Sequence, residues 1–327
     1  MESKIIQNNN VTYCQLSDDW MSVTILTWGA RLISVEMPDK KGHRDNIVVS
    51  YDNLEDFKND TYCFGATVGP VAGRIAGGQW EHYQLEQNEG KHTLHSGSNG
   101  WQSRPFDIVS HYSDDYYAEV TLRPQMMDIG MPESVTEVTY RLTKDHELFI
   151  IYTTTAQEKM IWNPTNHTYF NLSGKTQSIR DHQLFINSQY RLELDKESIP
   201  TGQKLPVKNT PYDFTSLNSL HQLPKCGLDD CFILEKEFQN KGALVLQHLE
   251  SGRKIKINTM RDSVILFTGT GMIDSHISIH GNPLISEEGI AIECQECPDA
   301  IHHQQSNIIV DKDETRTKVT SYHFSLI

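Results

Sequence analysis

Period-2 alternation of apolar and polar residues recurs from one end of the chain to the other, and nothing else limits its fold so strongly. The segments "SVTILTWGARLISVEM", "VTYRL", "LFIIYTTT", "ALVLQHL", "KIKIN", "VILFTG", "GIAIECQ" and "TKVTSYHF" all show it. Successive side chains of a strand point to opposite faces, so this pattern fits strands with one buried face. The runs are rich in Val, Ile, Thr, Tyr and Phe, which suit a pleated surface. Turn residues separate them in "PDKKG", "EQNEGK", "SGSNG", "TKDHE", "PTGQK", "ESGRK" and "HGNP". Helical periodicity is scarce. In "DNLEDFKND", Asp52 is expected to cap a short helix, with Leu54 and Phe57 on one face. The expected fold is all-β, a large antiparallel β-sandwich with few short helices. No linker splits the 327 residues, so one domain over 1–327 is expected.

The net charge of −14 argues against nucleic acid or an anionic membrane as partner. No apolar run approaches the ~20 residues that span a bilayer. The first residues, "MESKIIQNNNVTYCQ", lack an apolar signal core, so a cytoplasmic location is expected. The six cysteines are sparse and irregular, unlike a disulfide framework. Cys294 and Cys297 form a lone C-x-x-C. A zinc site would need a second pair, for which only Cys226 and Cys231 offer themselves. No metal and no cofactor is expected.

Polar residues inside strands must find partners or a ligand, and five segments carry them. In "GATVGPVAGRIAGGQW", small residues around Arg74 let the backbone approach something closely. On its own the segment reads first as a glycine-rich hairpin with an arginine on its rim, since rim arginines are common. In "KHTLHSGSNGW", His92 and His95 would face opposite sides of an extended segment, so they are no chelating pair. A histidine near a tryptophan suits a sugar, and a turn over a packed tryptophan suits the segment too. In "WNPTNHTYFNLSG", an extended chain puts His167, Tyr169 and Asn171 on one face and Asn166, Thr168 and Phe170 on the other. His167 there can be structural or a proton carrier. "KCGLDDCFIL" sets Asp229 and Asp230 at the start of a strand, as a solvated turn or a ligand-binding carboxylate. In "GIAIECQ", Ile290, Ile292 and Cys294 share one face, and Ala291, Glu293 and Gln295 the other. A glutamate in an apolar strand is costly core filler, so Glu293 is a candidate general base or part of a wet face.

These segments, in this order, resemble the aldose 1-epimerase (galactose mutarotase) family along nearly the whole chain. "GARLISVEMPDKKG", "GATVGPVAGRIAGG", "HTLHSGSNGW", "NPTNHTYFNLSG", "IPTGQKLPV", "TPYDF", "GLDDCF", "SGRKIKINT" and "IECQECPDA" carry the likeness. The resemblance implies the galactose mutarotase-like sandwich and conversion between the α and β anomers of a hexose such as galactose or glucose. It assigns Glu293 as the base on the anomeric hydroxyl and His167 as the acid on the ring oxygen. Arg74, His95 and Asp229 become the residues that hold the sugar. It requires no metal, nucleotide or covalent intermediate. A small sugar is the partner, and the chain is a monomer or homodimer.

Several positions depart from the family pattern. Gly73 stands where an asparagine is usual, Ile265 near a usual glutamine, His302 for an asparagine, and Lys312-Asp313 for Pro-Gly. They bear on substrate choice, so another aldose, a disaccharide, a phosphorylated sugar and a non-catalytic sugar binder are alternatives. The sequence does not say whether Trp80, Trp101 or Trp162 stacks on the sugar.

Overall fold

The alternating segments pair as antiparallel ladders in the computed structural model, which describes all residues except 9, 127, 237–241, 280, 304 and 305. Three sheets dominate. A nine-stranded sheet runs in the order Phe106–Ser113, Tyr117–Pro124, Ser134–Thr143, Glu147–Ala156, Thr315–Leu326, Arg253–Thr259, Leu244–Gln247, Gln183–Ile186, Asn218–Ser219. A six-stranded sheet runs Tyr169–Phe170, Ile290–Gln295, Ser263–Phe267, Asp229–Ile233, Tyr190–Leu194, Pro200–Pro206. The N-terminal residues form a five-stranded meander from Glu2–Asn8 to Arg44–Asn46. The fold is therefore the antiparallel β-sandwich that the periodicity requires.

Alternation and burial agree where one sheet face meets the core. In Glu147–Ala156 every second residue is buried. Leu148, Ile150 and Tyr152 join Val138, Tyr140 and Leu142 of the neighbouring strand in a core that also takes Phe232, Ile292 and Phe324. Each such side chain contributes ~1.5–3 kcal/mol relative to exposure.

The short helices are all of 3₁₀ type among the described residues. Leu54–Asn59 is one, and Phe57 is its buried residue. Its cap is Asn53, whose side chain accepts from the Glu55 N–H, and not Asp52 as expected. Either residue type can cap; the one lying two residues before the free N–H takes the role. Asp313, where Pro-Gly is usual, adopts a left-handed backbone with φ 62°.

Candidate active site

Register across the six-stranded sheet aligns the site. Cys231 lies opposite Ile265, and Ile265 lies opposite Glu293. Directly opposed residues project to the same face, so these three side chains form one row. Ile290, Ile292 and Cys294 point the other way into the core. The strand Ile290–Gln295 is buried on both faces, which rules out a wet face for Glu293. The carboxyl is 4% exposed at residue level. Burial first, and the nearby Asp229 carboxylate second, push it up to about 8, against a smaller lowering by Arg74.

His167 reaches this row because its strand is broken. Thr165–Asn166 pairs with Thr67–Val68, whereas Tyr169–Phe170 pairs with Ile290–Gln295. Between them the Asn166 side chain accepts from the Thr168 N–H and hydroxyl. This local turn switches the chain from one sheet to the other. It also undoes the two-face assignment expected of an unbroken strand. Asn166 donates to the Gly65 carbonyl. His167 exchanges backbone hydrogen bonds with Ala66 and Gly65. Gly65 has φ +65°, and a Cβ there would lie 2.2 Å from the Leu32 carbonyl oxygen. The ring of His167 is 6% exposed at residue level, with Nε2 3.4 Å from Glu293 Oε1. Burial lowers it to about 4. Tyr169 flanks it, ring centroids 5.0 Å apart. Asn171 does not: its amide donates to the carbonyls of Glu288, Gln177 and Lys175 and ties a turn.

His95 stands edge-on to His167 at 5.8 Å. Its Nδ1 accepts the Gly73 N–H at 3.2 Å, so its proton sits on Nε2. Burial, the neighbouring His167 and Arg74 lower it to about 3, leaving a neutral N–H donor. Arg74 lies on the two-residue strand Arg74–Ile75, paired with Thr93–Leu94. Glu89 clamps its Nε at 2.6 Å and Nη2 at 2.9 Å. Asp229 opens to the cleft and is exposed there, yet the protein around it raises its carboxyl, mainly by desolvation.

All five candidates, Glu293, His167, His95, Arg74 and Asp229, line one cleft of about 180 Å³. Gln295, Phe267, Leu94, Leu194, Ser198 and Ile265 are among its other lining residues. Gln295 is fully buried, and its Oε1 has no hydrogen-bond partner among the described residues. That acceptor suits a ligand hydroxyl. Sequence reasoning put Gln295 on the face of Glu293 but missed its orphaned oxygen. It also missed Glu89, hidden in a turn-like segment; no sequence signal marks it. Gly73 has φ +76°, and a Cβ there would come within 3.3 Å of the Gln295 amide. The glycine thus makes room for the glutamine. His302 is not in the cleft; its Nδ1 bonds Asp299 at 2.6 Å, and Asp299 accepts the Ala76 N–H.

Trp80, Trp101 and Trp162 are buried, and none lines the cleft. Cys294 faces the main core, while Cys297 packs with Cys231 and Ile265. The C-x-x-C residues thus diverge. No group of three His, Cys, Asp or Glu among the described residues could hold a metal ion. No helix among them is long and apolar enough to cross a membrane.

The family described as Aldose 1-epimerase matches residues 13–323. An aldose 1-epimerase of Streptococcus thermophilus is 36% identical over 326 residues, spanning 95% of this chain and 90% of that one. A maltose epimerase of Levilactobacillus brevis is 27% identical, spanning 96% and 94%. The crystal structure of a GalM/aldose epimerase homologue from C. elegans superposes with TM-score 0.87 at 24% identity, covering 100% of both chains.

Proposed function

The chain belongs to the aldose 1-epimerase family and interconverts the anomers of a sugar, and we propose that it does so with Glu293 and His167 as the two proton carriers of the reaction. Glu293 takes the proton from O1. The C1–O1 bond becomes a carbonyl as C1–O5 breaks, and His167 delivers its proton to O5. Rotation about C1–C2 presents the other face of the aldehyde. On reclosure His167 takes the O5 proton back and Glu293 returns one to O1. One proton has moved between two groups and back, so the enzyme regains its starting state.

The observation that carries this reading is the 3.4 Å approach of His167 Nε2 to Glu293 Oε1 in a buried cleft. Burial acts on the two groups in opposite senses, to about 8 for Glu293 and about 4 for His167. Between those values the pair holds one proton. Burial favours the neutral tautomer, and attraction between the ionised groups favours the charged one, so two opposing effects act on one shared proton. Ring opening needs the charged tautomer and ring closure the neutral one.

Around the pair, His95 Nε2–H, the Glu89-clamped Arg74, Asp229 and Gln295 Oε1 offer donors and acceptors for hydroxyls. Phe267, Leu94 and Ile265 offer apolar wall for C–H faces. The substrate proposed is an unphosphorylated hexose, galactose or glucose. Among the described residues Arg74 is the one lysine or arginine lining the cleft, and it is already paired, which disfavours a sugar phosphate. The relative named maltose epimerase motivates a disaccharide as the second reading.

Polarimetry on freshly dissolved α-D-galactose, α-D-glucose and α-maltose tests both. Glu293→Gln and His167→Asn should each slow enzymatic rotation change by ~10²–10⁴-fold. Variants within twofold of wild type would dismiss the assignment. Turnover of maltose alone would favour the second reading.

A further inference from the structure

Two thiols meet in the wall of the cleft, and the proton transfer uses neither. Cys231 continues the row of Glu293 and Ile265 across the sheet and lines the cleft. Cys297 follows the strand Ile290–Gln295 and packs with Cys231, Ile265 and Leu192. The two thiols are hydrogen-bonded to each other. The contact joins neither Cys294 to Cys297 nor Cys226 to Cys231, the pairs that spacing along the chain brings forward. Both residues are free cysteines.

The surroundings polarise the pair. The Cys231 thiol donates to the Cys297 sulfur, which holds Cys297 below the ordinary thiol range and Cys231 above it. Burial adds to the rise at Cys231 and opposes the fall at Cys297. Asp230 raises Cys231 further, while Lys204 favours the Cys297 thiolate against Asp262. A thiolate beside a protonated thiol is the arrangement that oxidises through a sulfenic acid to a disulfide. The pair is buried but not sealed: Cys297 is 6% exposed, and Cys231 is 3% exposed and borders the cleft. That admits a reagent little larger than water. A disulfide there acts on the sugar site. Cys231 is two residues from Asp229, and Cys297 stands between Gln295 and Pro298, all three of which line the cleft. Asp299 donates its N–H to the Arg74 carbonyl at 3.1 Å, so the segment after Cys297 also supports Arg74. An S–S bond is much shorter than a hydrogen bond between thiols. Closing it draws the Asp229 strand and the segment 295–299 together in a close-packed wall that transmits the strain.

We infer that Cys231 and Cys297 are a redox-modification site, a dithiol that hydrogen peroxide or a comparably small peroxide converts to a disulfide, and that this disulfide weakens sugar binding. The Cys297 sulfur attacks one peroxide oxygen, and the O–O bond breaks. The second oxygen leaves as water with the thiol proton, and Cys297 becomes a sulfenic acid. The Cys231 sulfur then attacks the Cys297 sulfur, and the hydroxyl leaves as water with the Cys231 proton. Two thiols and one peroxide thus give one disulfide and two waters, the sulfurs losing the two electrons that the peroxide gains. A thiol reductant returns them. The thiol chemistry is independent of the roles given to Glu293 and His167.

The full chain treated with hydrogen peroxide, its remaining thiols then blocked, tests this by mass spectrometry of the intact protein and of its non-reduced peptides. Loss of two hydrogens is expected, with the peptides of Cys231 and Cys297 joined. Polarimetry on the same samples should show KM raised severalfold with kcat changed less, and dithiothreitol should restore the starting value. Cys297→Ser should begin with wild-type activity, form no cross-link and keep its KM after peroxide. Cys226→Ser, which removes the exposed thiol, should respond as wild type does. If Cys297→Ser does not fold, Cys297→Ala takes its place, and the wild-type peptide map decides in either case. The cross-link is read without substrate, and the catalytic assignment is read before oxidation, so failure of one is distinct from failure of the other. Absence of the Cys231–Cys297 cross-link, a cross-link that leaves KM unchanged, a change that dithiothreitol does not reverse, or an equal response in Cys297→Ser would each overturn the proposal.

Discussion

Ile265→Gln should shift the pH dependence of catalysis by an amount the sheet register lets us work out. Ile265 lies directly opposite Glu293, where Cβ atoms are ~4.5–5.5 Å apart. A glutamine amide there can donate to the Glu293 carboxylate. A hydrogen bond to a charged group is worth ~1.5–3 kcal/mol, which is ~1–2 pH units on the pKa of Glu293. In the wild type, kcat/KM should be level between about 4 and about 8. Below that window both groups are protonated and no base remains. Above it the shared proton is gone and no acid remains. Glu293 and His167 titrate as a coupled pair, so lowering the proton affinity of Glu293 moves both limbs. Their summed displacement, ~1–2 units toward acid, is the quantity fixed by the added hydrogen bond. Initial rates by polarimetry across pH 3.5–9.5, on subsaturating sugar, read it directly. The variant will lose some stability, because an amide replaces a buried methyl surface. Limbs that stay in place, or that move toward base, would refute the picture of a one-proton pair held by burial.

Two other perturbations probe the supports. Glu89→Gln removes the charge that clamps Arg74 Nε and Nη2; KM should rise severalfold with kcat changed less, as steady-state kinetics would show, because Arg74 is read as a binding group. Gly65→Ala forces a left-handed residue and a Cβ 2.2 Å from a carbonyl oxygen; it should cost at least about 2 kcal/mol and lower Tm by several degrees in a thermal melt, with activity falling as the His167 backbone shifts.

The sheet architecture was legible because period-2 patterning is a direct consequence of strand geometry. Ser134–Thr143 and Glu147–Ala156 appear as their alternation demands. The same rule correctly put Ile290, Ile292 and Cys294 on one face and Glu293 and Gln295 on the other. It failed in "TNHTYFN", where the Asn166 side chain competes with the ladder and turns the chain at His167. That local hydrogen bond leaves no mark on hydrophobic periodicity. Glu89 and the orphaned oxygen of Gln295 were also beyond the sequence, because both depend on contacts between segments far apart in the chain. Asp52 and Asn53 differ by one position, and cap identity is decided by backbone geometry. The catalytic candidates themselves were legible mainly through the order of their motifs; Glu293 as a carboxylate in an apolar strand was legible from physics alone.

Glu293 and His167 are proposed to act on O1 and O5 of one sugar. A crystal structure of the Glu293→Gln variant soaked with galactose measures this most directly. Residue 293 should lie within ~2.6–3.2 Å of O1, with His167 at the same reach from O5 of the same ring. A galactose ordered in the cleft with O1 and O5 both turned away from these two side chains would contradict it.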